Sequence, residues 1–395
     1  MYTLFVKLAQ VLNSQQEFLS SWLFWTVSFF RHPFIMWPFP LMTYGAFFGS
    51  ALLQAFFYPG RRARTLTYPG ADRPSVLSAV ALGITGSPNW RSNLETFQEL
   101  LRCGVPPPTA FAYLISSYNL TIYFFLLITV NNGPQITIGH VIAVLLMIAF
   151  VRQGLSWFIP QAMWKQALSG PSDGPVGEVA GGAQAWKARI GSPRGWLDAL
   201  RFLLRDVKVL FIPIFLGLLI GGFIAAWGYT DSFFDLRLGG GVLGQLSNAL
   251  IGPILGIVTF MVPVLNIFVA SWLWKTDFLA YAGLVGFFLA TVLHPDAVGT
   301  YRRLFGRALT LRIVLILLGS AALAALVVTA MWYALAGLAS LLGVRTFIER
   351  SILTSSITPS TVPWFHEMFR PIIAAYMKDV MSGMPGGMEG GMQGM

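Results

Sequence analysis

Residues 252–274 are apolar enough to lie in a bilayer, yet they carry Gly252, Pro253, Gly256 and Pro263, with one amide, Asn266, near their middle. A plain membrane span needs no such interruptions. Proline removes a backbone donor and clashes with the preceding turn, and glycine weakens a helix interior. In lipid, a broken helix is tolerated only where it is buried in protein or lines a wet cavity. Transporters use such segments to build a substrate site near the midplane. The stretch therefore predicts a membrane transporter.

The remainder of the chain agrees with that class. Apolar residues make up 55% and charged residues 11% of 395, whereas a soluble domain carries about 25% charge. Mean hydropathy is +0.67. Several apolar runs reach the roughly 20 residues that cross a hydrocarbon core. The net charge of +10 is clustered near the ends of these runs. That is the pattern of cytoplasmic Lys/Arg bias rather than of nucleic-acid binding. The one cysteine, Cys103, excludes a disulfide within the chain. The first residues lack the features of a cleaved signal peptide and are expected to be retained.

Taken in order, residues 1–37 form an amphipathic and interfacial lead, interrupted by Arg31, His32 and Pro33. Residues 38–160 form a first membrane repeat. It holds a span at 39–58, a segment at 75–105 broken at Gly86-Ser87-Pro88, and spans at 107–130 and 138–158 joined by the turn Asn131-Asn132-Gly133-Pro134. Residues 161–207 are a linker whose last part, 195–207, has the spacing of a helix lying on the membrane. A second repeat, 208–342, follows the same plan: a span at 208–228, the broken stretch from 243 to 274, and spans at 278–298 and 311–342. Residues 343–395 are more polar and end in a Met/Gly-rich tail.

Charge sets the orientation. If basic loops at 61–73, 165–207 and 301–312 share the cytoplasm, both broken segments must re-enter the side they left, from opposite faces. The expected fold is an all-α polytopic membrane protein of two inverted-topology repeats, each with a re-entrant helical hairpin. This places the chain in the inner membrane with the tail outside.

Thr259-Phe260, Asn266, Leu273-Trp274 and Tyr301-Arg302-Arg303-Leu304-Phe305-Gly306 together resemble the second half of a predicted permease family that includes organoarsenical and heavy-metal efflux permeases. Residues 101–117 are similar to the family's helix-loop-helix in the first half. The likeness covers roughly residues 40–335 and implies a permease. The family's Cys-Ser-Cys-like motif falls by position on Asn89-Trp90-Arg91, and its second cysteine near Val262-Pro263. Neither place has a thiolate here, the ligand that soft metals favour.

Candidate substrate residues follow from polarity within apolar surroundings. Arg91 and Glu95 share a helix face, where an anion or a proton could bind; a hydrated hairpin end is the plainer reading. Asn266 and Thr259 flank the second break, and Met261 offers a thioether that more often serves packing. Asn89 stands in the first break. Ser117 and Asn119, with Ser116, lie early in a span, where small polar residues also serve helix packing. His294 and Asp296 flank Pro295 as a helix-end cap or a proton relay. Met381, Met384, Met388, Met392 and Met395 recur at spacings of three and four. Thioethers bind Cu(I) and other soft ions; a low-complexity tail is the alternative.

No phosphate-binding glycine loop is present, and no other cofactor is required. The expected function is a permease, not an enzyme, moving a small ion or metal(loid) species, outward by the family's example. Its partners would be lipid, substrate and a second copy or a membrane complex. The alternative is a non-transporting membrane subunit or metal-delivery partner that presents the methionine tail.

Overall fold

The computed structural model describes residues 18–28, 39–57, 75–87, 89–168, 185–228, 242–259, 263–275 and 279–341, with Gln16 and Phe30. These residues are helical throughout, apart from short turns. Helix α1 (18–28) lies on α10 (Pro193–Gly228): the Trp22 indole donates to the Leu219 carbonyl at 2.7 Å, and Phe18 and Trp22 meet Phe223 edge-on. Helix α2 (Phe39–Leu52), extended by a π turn at Leu53–Phe57, packs on α10 as well. Expected as a surface helix followed by a span, α10 is one continuous helix. Phe211 and Ile212 on its flank are 68% and 66% exposed, which suits lipid contact and not water.

Two short helices, each encased by the others, form the centre. In α5 (Pro107–Asn119) residues 109–119 are all buried, and in α13 (Tyr281–Leu289) every residue is buried. Each is crossed closely by a glycine-bearing helix. Helix α3 (Val76–Ile84) sets Gly83 against Tyr113 and Ser116, and Gly86 beyond its end lies on Ser117; any Cβ at either would clash. Helix α11 (Val242–Val258) sets Gly252 on the backbone of Gly283 and Gly256 on that of Phe287. Small residues let backbones approach where lipid supplies no hydrophobic drive between helices.

Pro253 does not end α11. It leaves the Ala249 carbonyl without its usual donor, and both face Gly286 across the crossing. The start of α13 is satisfied from outside: the Asn248 side chain accepts from Ala280 N at 2.9 Å and that of Gln245 from Ala282 N at 3.3 Å. Such orphan donors at a helix start need partners.

The interruption expected after α3 is present, whereas Gly252, Pro253 and Gly256 lie inside the continuous α11, and residues 260–262 lie outside the described residues. After α3 the chain turns at Thr85–Asn89 into the amphipathic α4 (Trp90–Arg102). After α11 it breaks between Val258 and α12 (Pro263–Lys275). Two further bends appear where spans were expected to be straight. The run 107–130 bends by 43° between α5 and α6 (Ile122–Asn132). The run 278–298 is α13, a 3-10 turn at Ala290–Leu293 and the start of α14 (Pro295–Leu341).

Among the described residues two helices are long and apolar enough to cross a membrane, α7 (Pro134–Phe158) and the part of α14 at Pro295–Ala336, or three spans if the bent α5–α6 pair counts as one. Both pack on each other and on the centre. Gly133 makes the turn into α7 at φ 91°, and Gly306 bends α14 at φ 74°. The basic run 301–307 is thus a helical corner, not a loop. Helices α8 (Gln161–Leu168) and α9 (Ala185–Ile190) complete the described chain.

Candidate functional site

The first break is a buried polar knot. Asn89 caps α4, its side chain accepting from Arg91 N at 3.0 Å, and the Ser87 hydroxyl accepts from Asn89 N at 3.1 Å. Asn93, one turn into α4, reaches back. Its carbonyl accepts from Ser87 N at 3.0 Å, while its amide donates to Ser87 O at 2.8 Å and to Ser117 O at 3.2 Å. These are the backbone groups that a broken helix leaves free, and each needs a partner inside an apolar body.

A carboxylate closes the knot. Asp206 of α10 is fully buried; its Oδ1 accepts from the Asn89 amide at 3.0 Å and its Oδ2 from the Ser87 hydroxyl at 3.3 Å. The half-exposed Arg205 guanidinium stands 3.4 Å away and supplies countercharge. A buried carboxylate persists as a charge only when paired and hydrogen-bonded.

Asp296, at the first turn of α14, ties this knot to the second half of the chain. Its Oδ2 accepts from the Trp90 indole at 3.1 Å and lies 3.4 Å from Arg91. Tyr118 donates to the Trp90 carbonyl at 3.1 Å and stands 3.5 Å from His294 Nε2, whose ring packs edge-on against Trp90 at 5.3 Å. About half of the Arg91 and Asp296 side chains remains exposed, so their attraction is screened. Glu95 is exposed one turn further on and no hydrogen bond or ion pair joins it to the described residues.

A second polar cluster lies where the bent pair α5–α6 crosses the 3-10 turn after α13. Thr291 donates to the Asn119 side-chain oxygen at 3.3 Å, and His140 Nε2 of α7 is 3.2 Å from the Asn119 carbonyl. The imidazole is buried between Phe124 and Phe288, with centroids at 5.4 and 5.5 Å, and its Nδ1 has no hydrogen-bond partner among the described residues. A buried unpaired nitrogen costs roughly 1–3 kcal/mol and marks a place where a ligand or water would be welcome.

The second break is simpler. Thr259 donates to the Asn266 side-chain oxygen at 3.3 Å and to Gly256 O at 3.1 Å; both side chains are buried. Met261 and the five tail methionines lie outside the described residues.

The sequence candidates therefore separate. Asn89 and Arg91 stand in one cluster, Asn119 in another, and Thr259 and Asn266 pair in a third. Ser117 enters through its carbonyl, since its hydroxyl bonds Leu114 O of its own helix. Asp206, Asn93, His140 and Thr291 were not legible as site residues. A carboxylate on a periodic face reads as solvated, and a lone histidine in an apolar helix reads as packing. Among the described residues no group of three or more His, Cys, Asp or Glu is placed to hold a metal ion.

A polytopic helical membrane protein with buried polar groups gathered at helix breaks belongs to the class of transporters. The chain belongs to the "Predicted permease" family, which matches residues 35–330. It is similar to a protein of Mycobacterium tuberculosis (strain ATCC 25618 / H37Rv) named "Putative permease Rv2963". The two are 26% identical over 329 residues, covering 80% of this chain and 79% of that one. No solved structure matches the chain.

Proposed function

We propose that this permease moves a small ion or metal(loid) species outward across the inner membrane by alternating access, with two inverted-topology repeats rocking against each other. The observation that carries this reading is the pair of buried polar clusters at helix breaks, Ser87–Asn89–Asp206 and Asn119–His140–Thr291. Polar and ionisable groups are costly inside a membrane and mark substrate and ion pathways.

The matched glycine crossings, α3 on α5 and α11 on α13, support the repeat. Both broken segments would re-enter from opposite faces. Asn89 and Asp206 would receive the substrate, Asn119 and His140 would line the next step, and Thr259 and Asn266 would do so from the second half. Arg91 would attract anionic forms at the rim, paired with Asp296 when no substrate is there. Glu95, Ser117 and Met261 would contribute at the margins.

Without thiolates at the first break, oxygen and nitrogen donors would set the preference toward species harder than those a cysteine motif takes. The tail methionines Met381, Met384, Met388, Met392 and Met395 would capture Cu(I) or another soft ion outside. The family match favours transport over a subunit that only presents this tail.

Flux into proteoliposomes is the test, with a panel of soft metals, oxyanions and organometalloids. At least one species should cross faster than in empty vesicles, and Asn89→Ala and His140→Ala should slow it. Folded protein that moves none of them would overturn the proposal.

A further inference from the structure

One surface feature stands apart from the polar interior. A groove of about 780 Å³ runs between the C-terminal third of α7 and the long limb of α14, walled by Phe150, Trp157, Ile316 and Leu323 over the glycines Gly154 and Gly319. Both helices are membrane spans by length and composition, so the groove opens toward lipid. From Arg312 to Leu323 a helix rises about 16 Å, close to the roughly 15 Å depth of one hydrocarbon leaflet. The apolar channel is as deep as one acyl layer.

Its mouth is cationic. Arg312 and Gln153 line it, and Arg312 donates to the Phe158 carbonyl at the end of α7 at 3.1 Å while staying exposed. Among the described residues no carboxylate pairs with Arg312. Beside it Trp157 is 72% exposed, as aromatic side chains are at the headgroup level. A second copy of the chain seated here about a two-fold axis would bring two Arg312 guanidiniums into one interface, where like charges repel. A lipid phosphate meets the opposite condition.

We propose that this groove binds an anionic phospholipid, its acyl chain between α7 and α14 and its phosphate on Arg312 with the Gln153 amide beside it. Lipid at this place would brace α7 and α14 against each other without touching the polar interior.

The test is native mass spectrometry of the purified full chain with phosphatidylglycerol and phosphatidylcholine of identical acyl chains. Wild type should retain the anionic lipid preferentially, and Arg312→Gln should lower that preference about fivefold. Gly319→Leu should lower retention of both lipids at unchanged thermal stability, because the space beyond Gly319 is open. Arg302→Gln, in a separate cleft with Arg307 and Thr310, should change neither. Equal retention of the two lipids by wild type would overturn the proposal, as would an Arg312→Gln effect no larger than that of Arg302→Gln. Conversion of a dimer to a monomer by Gly319→Leu would instead assign the groove to a second copy and overturn it equally.

Discussion

The two helix breaks solve one physical problem in different ways. Between α3 and α4, the freed backbone groups are held by Asn93, and the Ser87 and Asn89 side chains are bound by a carboxylate from α10. Between α11 and α12, the described bonds are local, Thr259 to Asn266 and to Gly256 O. The first break is bonded to α5 and α10, and the adjoining Trp90 and Arg91 to α14; among the described residues the hydrogen bonds of the second join its own two ends. Substitution at the first break is therefore expected to disturb more partners at once than substitution at Thr259.

This contrast can be broken by substitution, and the largest expected effect is at Asp206. Asp206→Ala removes the acceptor of the Asn89 amide and the Ser87 hydroxyl and the carboxylate beside Arg205, a loss of about 3 kcal/mol, read as a large fall in unfolding temperature in detergent. Next comes Gly252→Ala. Its methyl would strike the Gly283 backbone, and overpacking of this kind costs roughly 1–3 kcal/mol, visible in the same unfolding measurement. Asn93→Ala should cost about 2 kcal/mol through the lost bonds to Ser87 N, Ser87 O and Ser117 O.

Thr259→Val, which removes the bonds to Asn266 and Gly256 O, should cost only about 1 kcal/mol in the same unfolding measurement. Smallest is the Arg91–Asp296 pair. A double-mutant cycle with Arg91→Gln and Asp296→Asn should give a coupling of about 0.5 kcal/mol, weakened further by salt. A coupling several times larger would mean that the pair is desolvated in the working protein and locks the two halves together.

What was legible in the sequence depended on how local its cause was. The turn after α3 and the break before Pro263 were readable because glycine and proline act on their own backbone. The bend between Asn119 and Ile122 was not, since Leu120 and Thr121 carry no such signal and the bend is imposed by packing against α7 and α13. Gly306 was readable as a glycine but not as a corner in one helix, because the basic residues around it suggested a loop. Asn89 and Arg91 were reachable from position in the family pattern. Asp206 was not: its partner Asn89 lies 117 residues away in sequence, and no local spacing encodes that meeting. His140 was hidden for the opposite reason, because its neighbours along α7 are mostly apolar and its polar partner Asn119 lies on another helix.

Asp206→Asn tests the assignment of the first break most directly, because the amide keeps the shape and one acceptor while removing the charge. Flux of a transported species should fall to a small fraction of wild type in proteoliposomes, with an unfolding temperature close to that of the wild-type protein. Flux equal to wild type from the folded variant would contradict it, and the carboxylate at the first break would then be a structural clasp alone.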